Sequence, residues 1–134
     1  MTLFDILPLL AGLATATFVL AFARRPHPLG PDAWIGAALL GAAFAGWSLF
    51  AILTGGPVGF WVEHTRNAWG VQIWFDLLLA AGCALVFMVP ESQKVGMRPL
   101  PWVVLVLCSG AIGLLAMLAR ILYLKGRMPQ ADRV

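Results

Sequence analysis

Charge is the scarcest commodity in this sequence. Only 11% of its 134 residues are Asp, Glu, Lys or Arg, against the roughly 25% of an average soluble domain. Hydrophobic residues reach 61% and the mean hydropathy is +0.90, so too few polar residues remain to cover a globule of this size. Disorder, a nucleic-acid-binding surface and an ordinary soluble enzyme are excluded. Cysteine and histidine are nearly as rare. Cys83 and Cys108 both lie inside apolar runs, which excludes a disulfide framework. His27 and His64 lie outside those runs and on opposite faces of the expected bundle. They make neither a haem-ligand pair nor a metal site, which needs several convergent ligands. No glycine-rich phosphate loop appears, Ser48 and Ser109 have no base nearby, and no cofactor is expected. Alternation of period two is also missing, which argues against a β-barrel.

What the chain does have is long apolar runs. A spanning helix needs about 20 mostly apolar residues, and four runs qualify, at about residues 3–23, 33–53, 68–89 and 100–124. They are closed by Arg24-Arg25, Thr54-Gly55-Gly56-Pro57, Pro90-Glu91 and Lys125-Gly126-Arg127. The expected fold is all-α: one polytopic domain, a bundle of four transmembrane helices with both termini on the same side. Ala14-Thr15-Ala16 resembles a signal cleavage site, but no positive region precedes it, so the first run reads as a retained helix.

Sidedness follows from Lys and Arg. Face A carries the termini and the 54–67 loop; face B carries the 24–32 and 90–99 loops. Arg24, Arg25, Lys94 and Arg98 fall on face B, and Arg66, Arg120, Lys125, Arg127 and Arg133 on face A. That near tie is broken by the first helix, which has no positive residue before it and two directly after. Face B is therefore expected in the cytoplasm and the termini in the periplasm.

Small residues recur at four-residue spacing, at Ala38, Ala42 and Gly46, at Gly41 and Ala45, and at Ser109 and Gly113. Such stripes allow close helix approach in lipid, within one chain or between two copies. In the 54–67 loop, Phe60-Trp61-Val62 precede Glu63, His64 and Arg66, the pattern of a short segment lying at the interface. Asn67 is placed to N-cap the third helix. Six Trp in so short a chain suit membrane interfaces.

Asp76 is the most informative polar residue. It lies about 12 Å into the third helix, where an ionised carboxylate is costly unless paired or hydrated. Gln72 is one turn earlier on the same helix face. Arg120, about one turn before the expected face-A end of the fourth helix, is the natural partner, since a guanidinium can hold a carboxylate in bidentate fashion. Asp76, Gln72 and Arg120 therefore form a candidate buried polar site, with Trp47, Trp69 and Trp74 as pocket lining. A structural ion pair, a snorkelling Arg120 beside a protonated Asp76, and a ligand or proton site are the three alternatives. Asp5 near the start of the first helix, followed by Pro8, reads as a helix-start residue.

The second half resembles a family of small four-helix bacterial inner-membrane proteins catalogued as a domain of unknown function. The resemblance covers roughly residues 67–125 and is carried by Asn67, Phe75-Asp76-Leu77-Leu78, Glu91 with Gly96-Met97-Arg98, and Leu122-Tyr123-Leu124. The chain departs from the family pattern at Arg120 and at Gln93-Lys94. The resemblance implies four helices and a bacterial inner membrane; it implies no activity.

Two function classes follow. The favoured one is a non-catalytic accessory, assembly or scaffold subunit, whose partners are the bilayer and another membrane protein or a second copy. The alternative is a binder, carrier or enzyme for a small amphipathic molecule (lipid, quinone or carotenoid) at Asp76, Gln72 and Arg120. No nucleic acid is expected as a partner.

Overall fold

The computed structural model describes residues 3–24 and 29–128. Arg25, His27 and Arg133 lie outside the described residues. Among the described residues every element is helical: α1 (Leu3–Ala23), α2 (Ala33–Gly55), α3 (Gly59–Thr65), α4 (Ala68–Lys94), α5 (Pro99–Ser109) and α6 (Ala111–Arg127). Three helices, Phe4–Ala23, Ala33–Gly55 and Ala68–Lys94, are long and apolar enough to cross a membrane.

The boundaries are written in local chemistry. Asn67 is extended, and its side chain accepts a hydrogen bond from Gly70 N at 2.9 Å, so it caps α4 as expected. A Cβ at Gly70 would lie 2.5 Å from the Glu63 carbonyl oxygen, so α3 folds back onto α4 backbone to backbone. The expected 54–67 loop is thus partly helical, and α3 leaves Phe60, Trp61 and Val62 exposed. Pro90 does not end α4. The helix runs on to Lys94 and closes in a Schellman turn, with Gly96 N donating to Gln93 O and Met97 N to Ser92 O. Gly96 supplies the positive φ of +76°. Arg98 is extended, as a residue before proline must be, and Pro99 opens α5.

The largest departure from expectation concerns the fourth run. Residues 100–124 do not form one helix: the chain breaks at Gly110, whose φ of 58° and ψ of −126° leave the helical region. Gly110 N donates to Val106 O, Leu114 N to Gly110 O, and Ser109 Oγ to Leu105 O. These bonds satisfy part of the polar backbone that the break would otherwise leave open, which matters in an apolar setting. A Cβ on Gly113 would come within 2.8 Å of the Leu105 backbone. In a continuous helix those two residues would be about 12 Å apart along the axis, so α5 and α6 form a tight hairpin. At 11 residues, α5 is about 16 Å long, short of the length a span requires.

The hairpin reverses α6. Lys125, in its last turn, pairs with Glu91 near the end of α4. Gly126 lies against Pro31, just before α2, and Trp34 meets Tyr123 edge to face at 5.4 Å. Further along, Gly41 faces Leu115. Each step up α2 is matched by a step down α6, so these helices are antiparallel, and α6 ends on face B beside the start of α2 and the end of α4. The expectation of a fourth helix ending on face A is corrected by these contacts.

The core is small and centred on α6. Met117 and Ile121 are buried with Ala37 of α2 and Val106 of α5, and Ser92 of α4 is fully buried with its hydroxyl bonded to Val89 O. The side of α2 turned to α6 carries Trp34, Ala37, Ala38, Gly41, Ala45 and Ser48, all buried or half-buried. Of the expected small-residue stripes, Gly41 and Ala45 serve packing within the chain, whereas Ala42 and Gly46 face outward. Among the described residues α2 and α4 do not meet directly, and α1 packs against none of the other helices.

Candidate functional site

Asp76 and Gln72 share one exposed stripe of α4. Trp69, Gln72, Asp76, Leu79, Cys83 and Val86 recur at three- and four-residue steps, and all are exposed. On a 27-residue apolar helix this stripe would face lipid or another protein. Asp76 makes no ion pair or hydrogen bond with any described residue. Asp5, by contrast, lies in the first turn of α1, where a carboxylate complements the helix dipole.

The expected Asp76–Arg120 pair is not assembled. From Asp76 to Glu91 is about 22 Å along α4, and from Arg120 to Lys125 about 8 Å along α6. Because Glu91 and Lys125 are paired, Arg120 sits about 14 Å nearer face B than Asp76 where the helices run alongside. Its guanidinium instead stands over the Tyr123 ring, 5.6 Å from the centroid. The tryptophans are not gathered either. Trp47 packs on Phe50 of its own helix, and Trp74 packs against Phe60 and His64 at the α3–α4 corner. Trp69 borders a separate groove beside Glu63, His64, Arg66 and Asn67. In that groove Arg66 pairs with Glu63 at 3.1 Å and His64 Nδ1 lies 2.6 Å from Phe60 O.

A second polar cluster, unforeseen from sequence, forms at the face-B end of α6, between the start of α2 and the end of α4. Glu91 binds both Lys94, at 2.8 Å, and Lys125. Beside it, Tyr123 is flanked on its own helix by Arg120 and Arg127, whose guanidinium carbon is 4.3 Å from the ring centroid. Pro31, Asp32, Trp34, Tyr123, Gly126 and Arg127 line a cleft of about 260 Å³. The spacing of Arg120, Tyr123 and Arg127 on one helix stripe was visible in the sequence, but Trp34 and Glu91 join it only through the hairpin at Gly110.

Among the described residues no group of three or more His, Cys, Asp or Glu is arranged to hold a metal ion. Cys83 and Cys108 are free thiols on exposed surfaces. No family model, curated protein or solved structure matches the chain.

Proposed function

We propose that this protein is a small accessory or scaffold subunit of the cytoplasmic membrane, working by lateral association with another membrane protein. The observation that carries this reading is the outward position of Asp76 with Gln72. An ionised carboxylate facing lipid near the middle of a span costs several kcal/mol, and such residues pair or face protein interiors. Among the described residues Asp76 has no partner, so a donor from another subunit satisfies it. Helix α1 adds support. Its 21 residues are apolar almost throughout and turn every described side chain outward, leaving a whole helix free for contact.

The same reading fixes an orientation. With α6 returning to face B, Arg24, Lys94, Arg98, Arg120, Lys125 and Arg127 lie there, and Arg66 lies on face A. Six of the seven described Lys and Arg residues then favour face B as the cytoplasmic side, without the near tie that a four-span topology produces. The chain thus has three spans and a re-entrant α5–α6 hairpin, with its N-terminus outside and the end of α6 inside.

Native mass spectrometry of particles extracted from membranes with polymer, without detergent, tests the association. The expected species exceeds the 14.4 kDa of one chain and collapses toward it in Asp76→Leu. A mass at whole multiples of the chain identifies self-association; any other mass identifies a different subunit. A wild-type species at the monomer mass would overturn the proposal.

A further inference from the structure

We infer that the cleft between the start of α2 and the end of α6 binds the headgroup of one phospholipid whose phosphate is followed by a hydrogen-bond donor, as in ethanolamine or glycerol headgroups and not choline. This rests on the membrane location and not on the association proposed above. Four basic side chains at this corner divide into two sets, and of them Arg127 lines the cleft. Lys94 and Lys125 are both engaged by Glu91. Among the described residues Arg120 and Arg127 have no carboxylate within ion-pair distance, and both guanidinium groups stand over the Tyr123 ring.

A guanidinium set over an aromatic ring satisfies no carboxylate, and its fork of N–H donors matches two oxygens of a phosphate. The cation–π contact also restrains the side chain beforehand, so less rotamer freedom is lost on binding. Tyr123 is itself held edge-on by Trp34, and Gly126 lets α6 approach the Pro31 carbonyl oxygen within 2.9 Å of where a Cβ would stand. The floor is therefore built from two helices. Trp and Tyr mark the depth at which lipid phosphates lie, and basic pockets between helices on the cytoplasmic side are the general form of phospholipid headgroup sites.

Asp32 decides the headgroup. It lines the same cleft as Arg127, so the site presents a cation and an anion side by side. A bare phosphate would meet repulsion from this carboxylate. A headgroup carrying an ammonium or hydroxyl beyond its phosphate offers Asp32 a donor. Choline offers none.

The test uses the full chain in mild detergent, with phosphatidylethanolamine, phosphatidylglycerol and phosphatidylcholine added in equal amounts and bound lipid read by native mass spectrometry. A single adduct should form, with ethanolamine or glycerol lipid enriched about tenfold over choline lipid, the discrimination expected of one charge-assisted hydrogen bond. Asp32→Leu should abolish that preference while leaving total lipid retention. Arg120→Gln with Arg127→Gln should remove retention, and Arg127→Lys, which keeps charge but not the planar fork, should lower it. Lys94→Gln, outside the cleft, should leave it unchanged. Helical circular dichroism verifies that each variant is folded. Equal retention of all three lipids, or full retention by the folded double Arg variant, would overturn the assignment. Displacement of the adduct by a modest excess of inorganic phosphate would overturn it too, by showing a site for the free anion.

Discussion

Glu91 and Lys125, at the ends of α4 and α6, share an ion pair, with Lys94 completing the bridge. They are 34 positions apart in sequence and would lie on opposite sides of the bilayer if the run from 100 to 124 were one spanning helix. Their contact is possible only because Gly110 turns the chain back. The pair is partly exposed on both sides, so its contribution to stability is modest, about 1 kcal/mol or less. Its value is directional: with the Pro31–Gly126 approach it anchors the end of α6 on face B, and through α6 it links α2 to α4, which do not meet.

The hairpin makes a prediction of sign. In a continuous exposed helix, glycine to alanine stabilises by about 1 kcal/mol. Gly110 here has φ +58° with ψ −126°, and Gly113 has no room for a Cβ. Gly110→Ala should therefore destabilise by about 1–3 kcal/mol through backbone strain, and Gly113→Ala by a similar amount through overpacking. Thermal unfolding in detergent reads both. A rise in Tm for either variant would mean that the helix is unbroken.

Topology gives an independent check. In a chain with Cys83 and Cys108 replaced, single cysteines at positions 94 and 128 should react with an impermeant maleimide from the same side of the membrane. A cysteine at position 63 should react from the opposite side. Protection of 94 and 128 in intact cells, with labelling of 63, is the outcome that the distribution of Arg and Lys favours. Labelling of 94 and 128 from different sides would restore a fourth span.

Much of the helical architecture could be read from sequence, because apolar length and caps are local signals. The first helix, the bulk of α2 and α4, the Asn67 cap and the aromatic segment at 60–62 are all visible that way. The break at Gly110 was hidden because the glycine interrupts hydrophobicity no more than its neighbours do. What marks it is a backbone conformation, not a composition. The Asp76–Arg120 pairing turns on the same break. Asp76 and Arg120 were matched by their distances from helix ends, and reversing one helix removes the match. The Pro90 boundary erred for a simpler reason, since a proline near a helix end loses one hydrogen bond and does not by itself stop the helix.

The α3 segment should lie flat at the interface. Phe60, Trp61 and Val62 are exposed although α3 is folded against α4, and Glu63 with Arg66 forms an exposed pair on the same short helix. In a variant retaining Trp61 alone among the tryptophans, brominated lipid should quench its fluorescence strongly and aqueous iodide weakly. Strong iodide quenching would place the segment in water.

The last prediction separates Asp76 from Arg120. A buried ion pair would show coupling: each single replacement would strand a charge, at about 3–5 kcal/mol, and the double replacement would recover much of the loss. Here Arg120 stacks on Tyr123 and Asp76 faces outward from α4, and neither is the other's partner. Residues without shared contacts have additive effects within about 0.5 kcal/mol. Asp76→Asn and Arg120→Leu should therefore add in thermal stability measured in detergent. The two changes should also separate by phenotype. Asp76→Asn should weaken association in extracted particles and leave lipid retention unchanged, whereas Arg120→Leu should lower lipid retention and spare association. Recovery of stability in the double variant would show that the two side chains meet, and with it that α6 runs in the opposite direction past α4.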